Sequence, residues 1–220
     1  MKRLLLALML AAAPAAAQEG LAPPGPPGET CTPYDERFSA APLFRIRIAR
    51  QNFFDRPRPC PATGDCPWRR AGYLVVGDTV LASAPRAGFR CVYYGTARGR
   101  LVTGFLPEAA LAPVPETPAL DAGFLRGRWN ALGGDAHVVF AGAEDGLRVT
   151  GEAVWRGFSS INVGQIDMPV RVEPEALTAH EPIADCTLTG LRRGPYLVLR
   201  DNGQCGGMNV RFHGIFTRQR

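Results

Sequence analysis

The chain has 220 residues, 46% of them hydrophobic and 20% charged, with 25 glycines and 20 prolines. That composition belongs to a globular protein rich in turns, and it argues against a mainly helical bundle. The formal net charge is +5, and the +3 left once an expected leader is removed is too mild to point to nucleic acid.

The chain opens MKRLLLALMLAAAPAAAQ. Lys2 and Arg3 precede ten apolar residues, and small residues 15–17 follow. This pattern predicts a secretory signal peptide over 1–17, with export to the periplasm or medium. Ten apolar residues cannot span about 30 Å of hydrocarbon, and no later run reaches the length of a membrane span. No cysteine stands at the expected cleavage point to carry a lipid anchor. Cleavage would remove Lys2 and Arg3 and no acid, taking the charge from +5 to +3. Lys2 is the chain's one lysine, so the exported form has no lysine for Schiff-base chemistry. Residues 18–42, with the run LAPPGPPGET, read as an N-terminal tether.

Six cysteines remain: Cys31, Cys60, Cys66, Cys91, Cys186 and Cys205. An even count in an exported chain predicts three structural disulfides. Four cysteines precede residue 92 and two follow residue 185, so Cys186–Cys205 is the simplest late pair. Among the early four three pairings are open; Cys60–Cys66 and Cys31–Cys91 are preferred. Zinc spacing is missing, and neither a metal nor another cofactor is expected.

Residues 45–50 alternate polar and apolar, as a half-buried strand does. Residues 52–67 are crowded with proline and read as a loop. Short strands are expected at 73–76, 79–82, 89–94 and 101–106, which suggests a small barrel over 43–112. Proline-rich residues 113–119 read as a linker. In the second part, 120–220, strands are expected at 127–130, 137–141, 147–155, 166–172, 185–191, 196–200 and 209–217. Seven strands would make an antiparallel up-and-down barrel without exposed edges. The fold class expected is therefore all-β, two small barrels.

The run YLVVGDTVLASAPRAGFRCVYYGTARGRLVTGFLP resembles bacterial SH3-like domains, with the Gly77-Asp78 turn and the closing Thr103-Gly104-Phe105-Leu106-Pro107. Phe105 stands where such domains usually have tryptophan. The resemblance implies an SH3-like fold over 43–112 and a binding or targeting role in the cell envelope. The ending, with Cys205-Gly206-Gly207-Met208-Asn209-Val210, is similar to the C-terminal segments of uncharacterised proteobacterial envelope proteins. Gly127-x-Trp129 resembles lipocalin-like barrels, in which the tryptophan plugs one end.

The residues offer little for catalysis. His137, His180 and His213 are scattered, and no serine sits in a nucleophile turn. Asp145-Gly146 and Asp201-Asn202-Gly203 read as turns. Aromatic side chains suggest a peptide groove, placed at Tyr73, Tyr94, Arg98 and Phe105. Tyr93 and Tyr94 must face opposite sides of a strand. The protein is thus expected to be a non-enzymatic envelope binding module for cell-wall peptide or an envelope protein. It is expected to have no nucleic-acid partner and no membrane span. The alternatives are an inhibitor of a secreted hydrolase such as lysozyme, or a small-molecule carrier in the second barrel.

Overall fold

A computed structural model describes residues 30–32, 41–115, 119–144 and 146–219. The expected signal peptide and most of the tether lie outside these residues. Among them no helix is long and apolar enough to cross a membrane.

The first part is one antiparallel sheet. Its strands are β1 (Leu43–Ile46), β2 (Arg50–Phe54), β3 (Arg69–Val75), β4 (Thr79–Ala82), β5 (Phe89–Gly95), β6 (Leu101–Pro107) and β7 (Leu111–Pro113). Their order is β3-β2-β6-β5-β4-β1-β7. The sheet curls into half a barrel and leaves β3 and β7 at its edges. This differs from the closed five-stranded barrel expected. The single strand expected at 45–50 is broken, because the chain bends at residues 47–49. β1 pairs with β4 and β7, whereas β2 pairs with β3 and β6. The seam between β2 and β6 is one residue pair, Phe54↔Phe105, beside a bulge at Asn52–Phe54. The proline-rich stretch starts later than its composition suggests. Residues 108–110 make one 3-10 turn, and Leu111–Pro113 joins the sheet against β1.

All three expected disulfides are present: Cys31–Cys91, Cys60–Cys66 and Cys186–Cys205. The first ties the end of the tether to β5, and the Thr103 hydroxyl donates to the Cys31 carbonyl at 3.0 Å. Three disulfides accord with an oxidising compartment outside the cytoplasm.

The second part begins with one helical turn, α1 (Ala122–Leu125), capped by the Asp121 carboxylate, which accepts from the Phe124 N–H at 2.6 Å. Eight strands follow: β8 (Gly127–Ala131), β9 (Ala136–Ala143), β10 (Gly146–Arg156), β11 (Ile161–Val172), β12 (Leu177–Glu181), β13 (Cys186–Arg193), β14 (Tyr196–Asp201) and β15 (Gly214–Arg218). Each pairs with its neighbour in sequence, and β15 returns to β8 to close the barrel. The count is one more than expected, because Leu177–Glu181 is a strand in a segment read as loop. The last strand is also shorter than the expected 209–217. Residues 202–213 instead fold over the barrel mouth, with Val210 and Phe212 fully buried in the core.

The barrel is filled by side chains, among them Val138, Phe140, Val149, Met168, Leu188, Leu199 and Phe216. Its α1 end is closed by Trp129, whose indole N–H donates to the Leu125 carbonyl at 2.7 Å. Phe124 packs on Trp129 at 5.0 Å, and the Arg192 and Arg218 guanidiniums lie over these rings. At the other end the 202–213 segment needs close approach. A Cβ on Gly164 would fall 2.6 Å from the Cys205 carbonyl, and one on Gly151 would fall 3.1 Å from the Phe212 ring. At Gly164 only a residue without a side chain lets the plug seat.

Sheet and barrel share a core. Leu43, Leu81, Tyr93 and Phe105 of the sheet pack with Leu132, Tyr196, Val198 and Ile215 from the outer wall of the barrel. Residues 196–199 are therefore buried without alternation: Leu197 and Leu199 face the barrel interior, Tyr196 and Val198 the sheet. The Tyr196 hydroxyl is hydrogen-bonded to the Thr79 side chain and the Gly95 backbone, and burial raises its pKa. Because both parts depend on this seam, calorimetry of the exported form should show a single unfolding transition. Tyr196→Ala should cost about 3–5 kcal/mol, and Tyr196→Phe, which loses only the hydroxyl's bonds, about 1 kcal/mol. Chemical denaturation followed by tryptophan fluorescence measures both.

Candidate functional site

The four candidate residues do not converge on one groove. Tyr73 is half-exposed, at 49%, on the edge strand β3. Arg50 of β2 stacks on its ring, 3.8 Å from the centroid. Tyr94 is half-buried on β5, packed against the smaller sheet core. Burial and the neighbouring Asp78 charge raise its pKa. Tyr93 faces the opposite side and is buried, as alternation requires. Arg98 is exposed in the β5–β6 turn. Phe105 is 2% exposed and belongs to the shared core, where it offers no surface to a ligand.

Tyr73 has other company. Val75, Val76 and Ile48 are exposed nearby in sequence and topology, and together they give the β3 edge an apolar character. Only Leu74 of this strand turns fully inward. β3 is seven residues long and has one described strand partner, β2. The opposite edge, β7, has three residues and ends in proline, which discourages pairing. Charge is concentrated here too. Residues 43–113 hold eleven arginines against four acids, whereas 114–220 hold eleven against twelve. Nine of the first eleven arginines are exposed. Arg70 is paired with Asp55 and Arg90 with Glu108. This asymmetry is readable in the sequence once the boundary between the two parts is placed.

A larger concavity lies elsewhere. At the plugged mouth of the barrel a cleft of about 1090 Å³ runs from Leu101 of the sheet past the β8–β9 loop to Trp155, Thr189, Arg200 and Arg211. It contains none of the four candidate residues. The side chains around it are held by the plug. Asp201 accepts from the backbone N–H groups of Gly203 and Phe212. The Asn202 side chain accepts from Thr187 N–H at 3.1 Å and donates to the Asp185 carbonyl at 2.6 Å. Reading 209–217 as strand hid this arrangement.

Among the described residues no three or more His, Cys, Asp or Glu cluster to hold a metal ion. The chain matches no protein-family model, no curated protein and no solved structure.

His137, beside the cleft on β9, stands across from Asn130 and Glu152. Burial, and secondarily Arg128, lower its pKa, while Glu152 opposes the shift. The unfolded chain then takes up this proton at a higher pH than the folded one. The folded state should lose stability as pH falls below about 6.5, the ordinary histidine value. In His137→Gln the fall in melting temperature between about pH 7.5 and pH 5.5 should be smaller than in the wild type.

Proposed function

We propose that the protein is an exported, non-enzymatic binding module of the cell envelope. Its basic first part, an SH3-like element, takes an acidic extended peptide of the cell wall or of an envelope protein. The observation that carries this reading is the pairing of a basic surface with an open, apolar strand edge at β3. An extended peptide added to β3 would gain main-chain hydrogen bonds, Tyr73 and Val75 would take its apolar side chains, and arginines such as Arg50 and Arg69 its carboxylates. Arg98 adds to the same basic field, and Phe105 supports the sheet from within. The carrier alternative finds less support, because side chains fill the barrel interior.

Co-sedimentation with purified peptidoglycan sacculi tests this. The mature chain should pellet at about 0.15 M salt and be released as salt rises, since the attraction is screened. The combined change Arg50→Gln, Arg69→Gln, Tyr73→Ala should reduce pelleting about tenfold while leaving the melting temperature within a few degrees. Absence of pelleting, or pelleting equal in the variant, would sink the cell-wall reading.

A second reading is favoured by one observation. Three of the four loops at the plugged mouth raise a large exposed apolar side chain: Phe158, Ile183 and Met208. Such tips suit insertion into a partner protein, as in an inhibitor of a secreted hydrolase. On this reading the mature chain inhibits lysozyme, and Phe158→Ser weakens inhibition about tenfold; an absence of inhibition at about 0.1 mM protein counts against it.

A further inference from the structure

We infer that the cleft at the plugged barrel mouth is a saccharide site, selective for an oligosaccharide that carries carboxylates. This inference goes beyond the peptide reading and uses different residues. The cleft's volume of about 1090 Å³ is at or above the upper end of ordinary small-molecule pockets, about 300–1,000 Å³. Its lining runs from Leu101 of the sheet to Trp155 and Arg211 of the barrel, which suits a chain of sugar rings more than a compact ligand.

Its lining has the matching chemistry. Trp155 gives an aromatic wall on which a sugar ring can stack through its C–H face. Arg211 and Asn209 offer polar hydrogens to hydroxyl and carboxylate oxygens, and Arg200, Thr189 and His213 line the same cleft. The cleft's own acids are already engaged. Asp201 is held by two backbone N–H groups, and Asp135 pairs with Arg156 at 3.1 Å. Arg211 has no acid partner among the described residues. One of its terminal nitrogens donates to the Val210 carbonyl at 2.9 Å, which fixes the guanidinium on the rim. The cleft therefore sets the Arg211 guanidinium beside an aromatic face. A peptide would need acceptors for its own N–H groups, and an apolar ligand would leave these donors unpaired.

Anchoring is built into the fold. The plug that carries Asn209 and Arg211 is stapled to β13 by Cys186–Cys205 and seated on Gly164. Asn209 sits at φ 66°, so glycine there removes the amide without straining the backbone.

Tryptophan fluorescence of the mature chain provides the test, in a Trp68→Phe background. Trp129 is 1% exposed, so a change on titration reports Trp155. The probe is hexagalacturonate, with maltohexaose as its neutral counterpart. Hexagalacturonate should change the emission with a Kd below about 1 mM, and maltohexaose should bind at least about tenfold more weakly. Arg211→Gln should weaken hexagalacturonate about tenfold, and Asn209→Gly by a few-fold. Arg171→Gln, at the opposite end of the barrel, should leave it unchanged. No response to hexagalacturonate up to about 10 mM, equal binding of the neutral sugar, or unaltered binding by both cleft variants would overturn the assignment.

Discussion

Everything in this protein leans on the seam where the sheet covers the outer wall of the barrel. Tyr196, Val198 and Ile215 belong to strands that close the barrel, yet they bury their side chains among Leu43, Leu81, Tyr93 and Phe105 of the sheet. The first four residues of β14 thus have no solvent face. The barrel wall gives the open half-barrel a second packed layer beside its own smaller core. Two β-rich parts that look separate along the chain share this buried seam.

That dependence organises the surfaces left over. The face of the sheet turned to the barrel is spent on packing, which removes Phe105 and Tyr93 from any binding role. The opposite face carries the sheet's own smaller core, so what remains of the sheet is its basic rim and the long edge strand β3. The barrel has its interior filled and its α1 end closed by Trp129 and arginines, and its opposite rim is built differently. There the disulfide-held plug creates the cleft and the surrounding loops lift Phe158, Ile183 and Met208 into solvent. Candidate binding surfaces are therefore peripheral, and two of the three disulfides, Cys31–Cys91 and Cys186–Cys205, hold the tether and the plug against the frame.

Much of this was legible in residues 31–220. Alternating polarity and turn chemistry located most strands, and cysteine partition with loop length pointed to the three pairs. The resemblance of Gly127-x-Trp129 to lipocalin-like barrels implied a tryptophan at one barrel end, and Trp129 is buried. The misreadings share one cause. Leu177–Glu181 was passed over because Pro174 and His180-Glu181-Pro182 resemble loop, although Leu177 and Ala179 alternate inward. Residues 209–217 alternate like a strand, but Val210 and Phe212 point into the barrel mouth from a plug. Local pattern reports that a side chain is buried, not which surface buries it.

Sequence by itself determined an all-β, disulfide-stapled chain in two β-rich parts, because alternation, turn residues and cysteine pairing are short-range properties. Tertiary structure decided the rest: that the first sheet stays open, that its inner face is roofed by β14 and β15, and that Tyr73 is left on an edge while Phe105 is sealed within. It also decided that Trp155, Arg200 and Arg211, from strands and a loop far apart in the chain, border one cleft. These are outcomes of burial between distant segments, and the free energy of covering apolar area depends on which surfaces meet, not on the order in which residues are written.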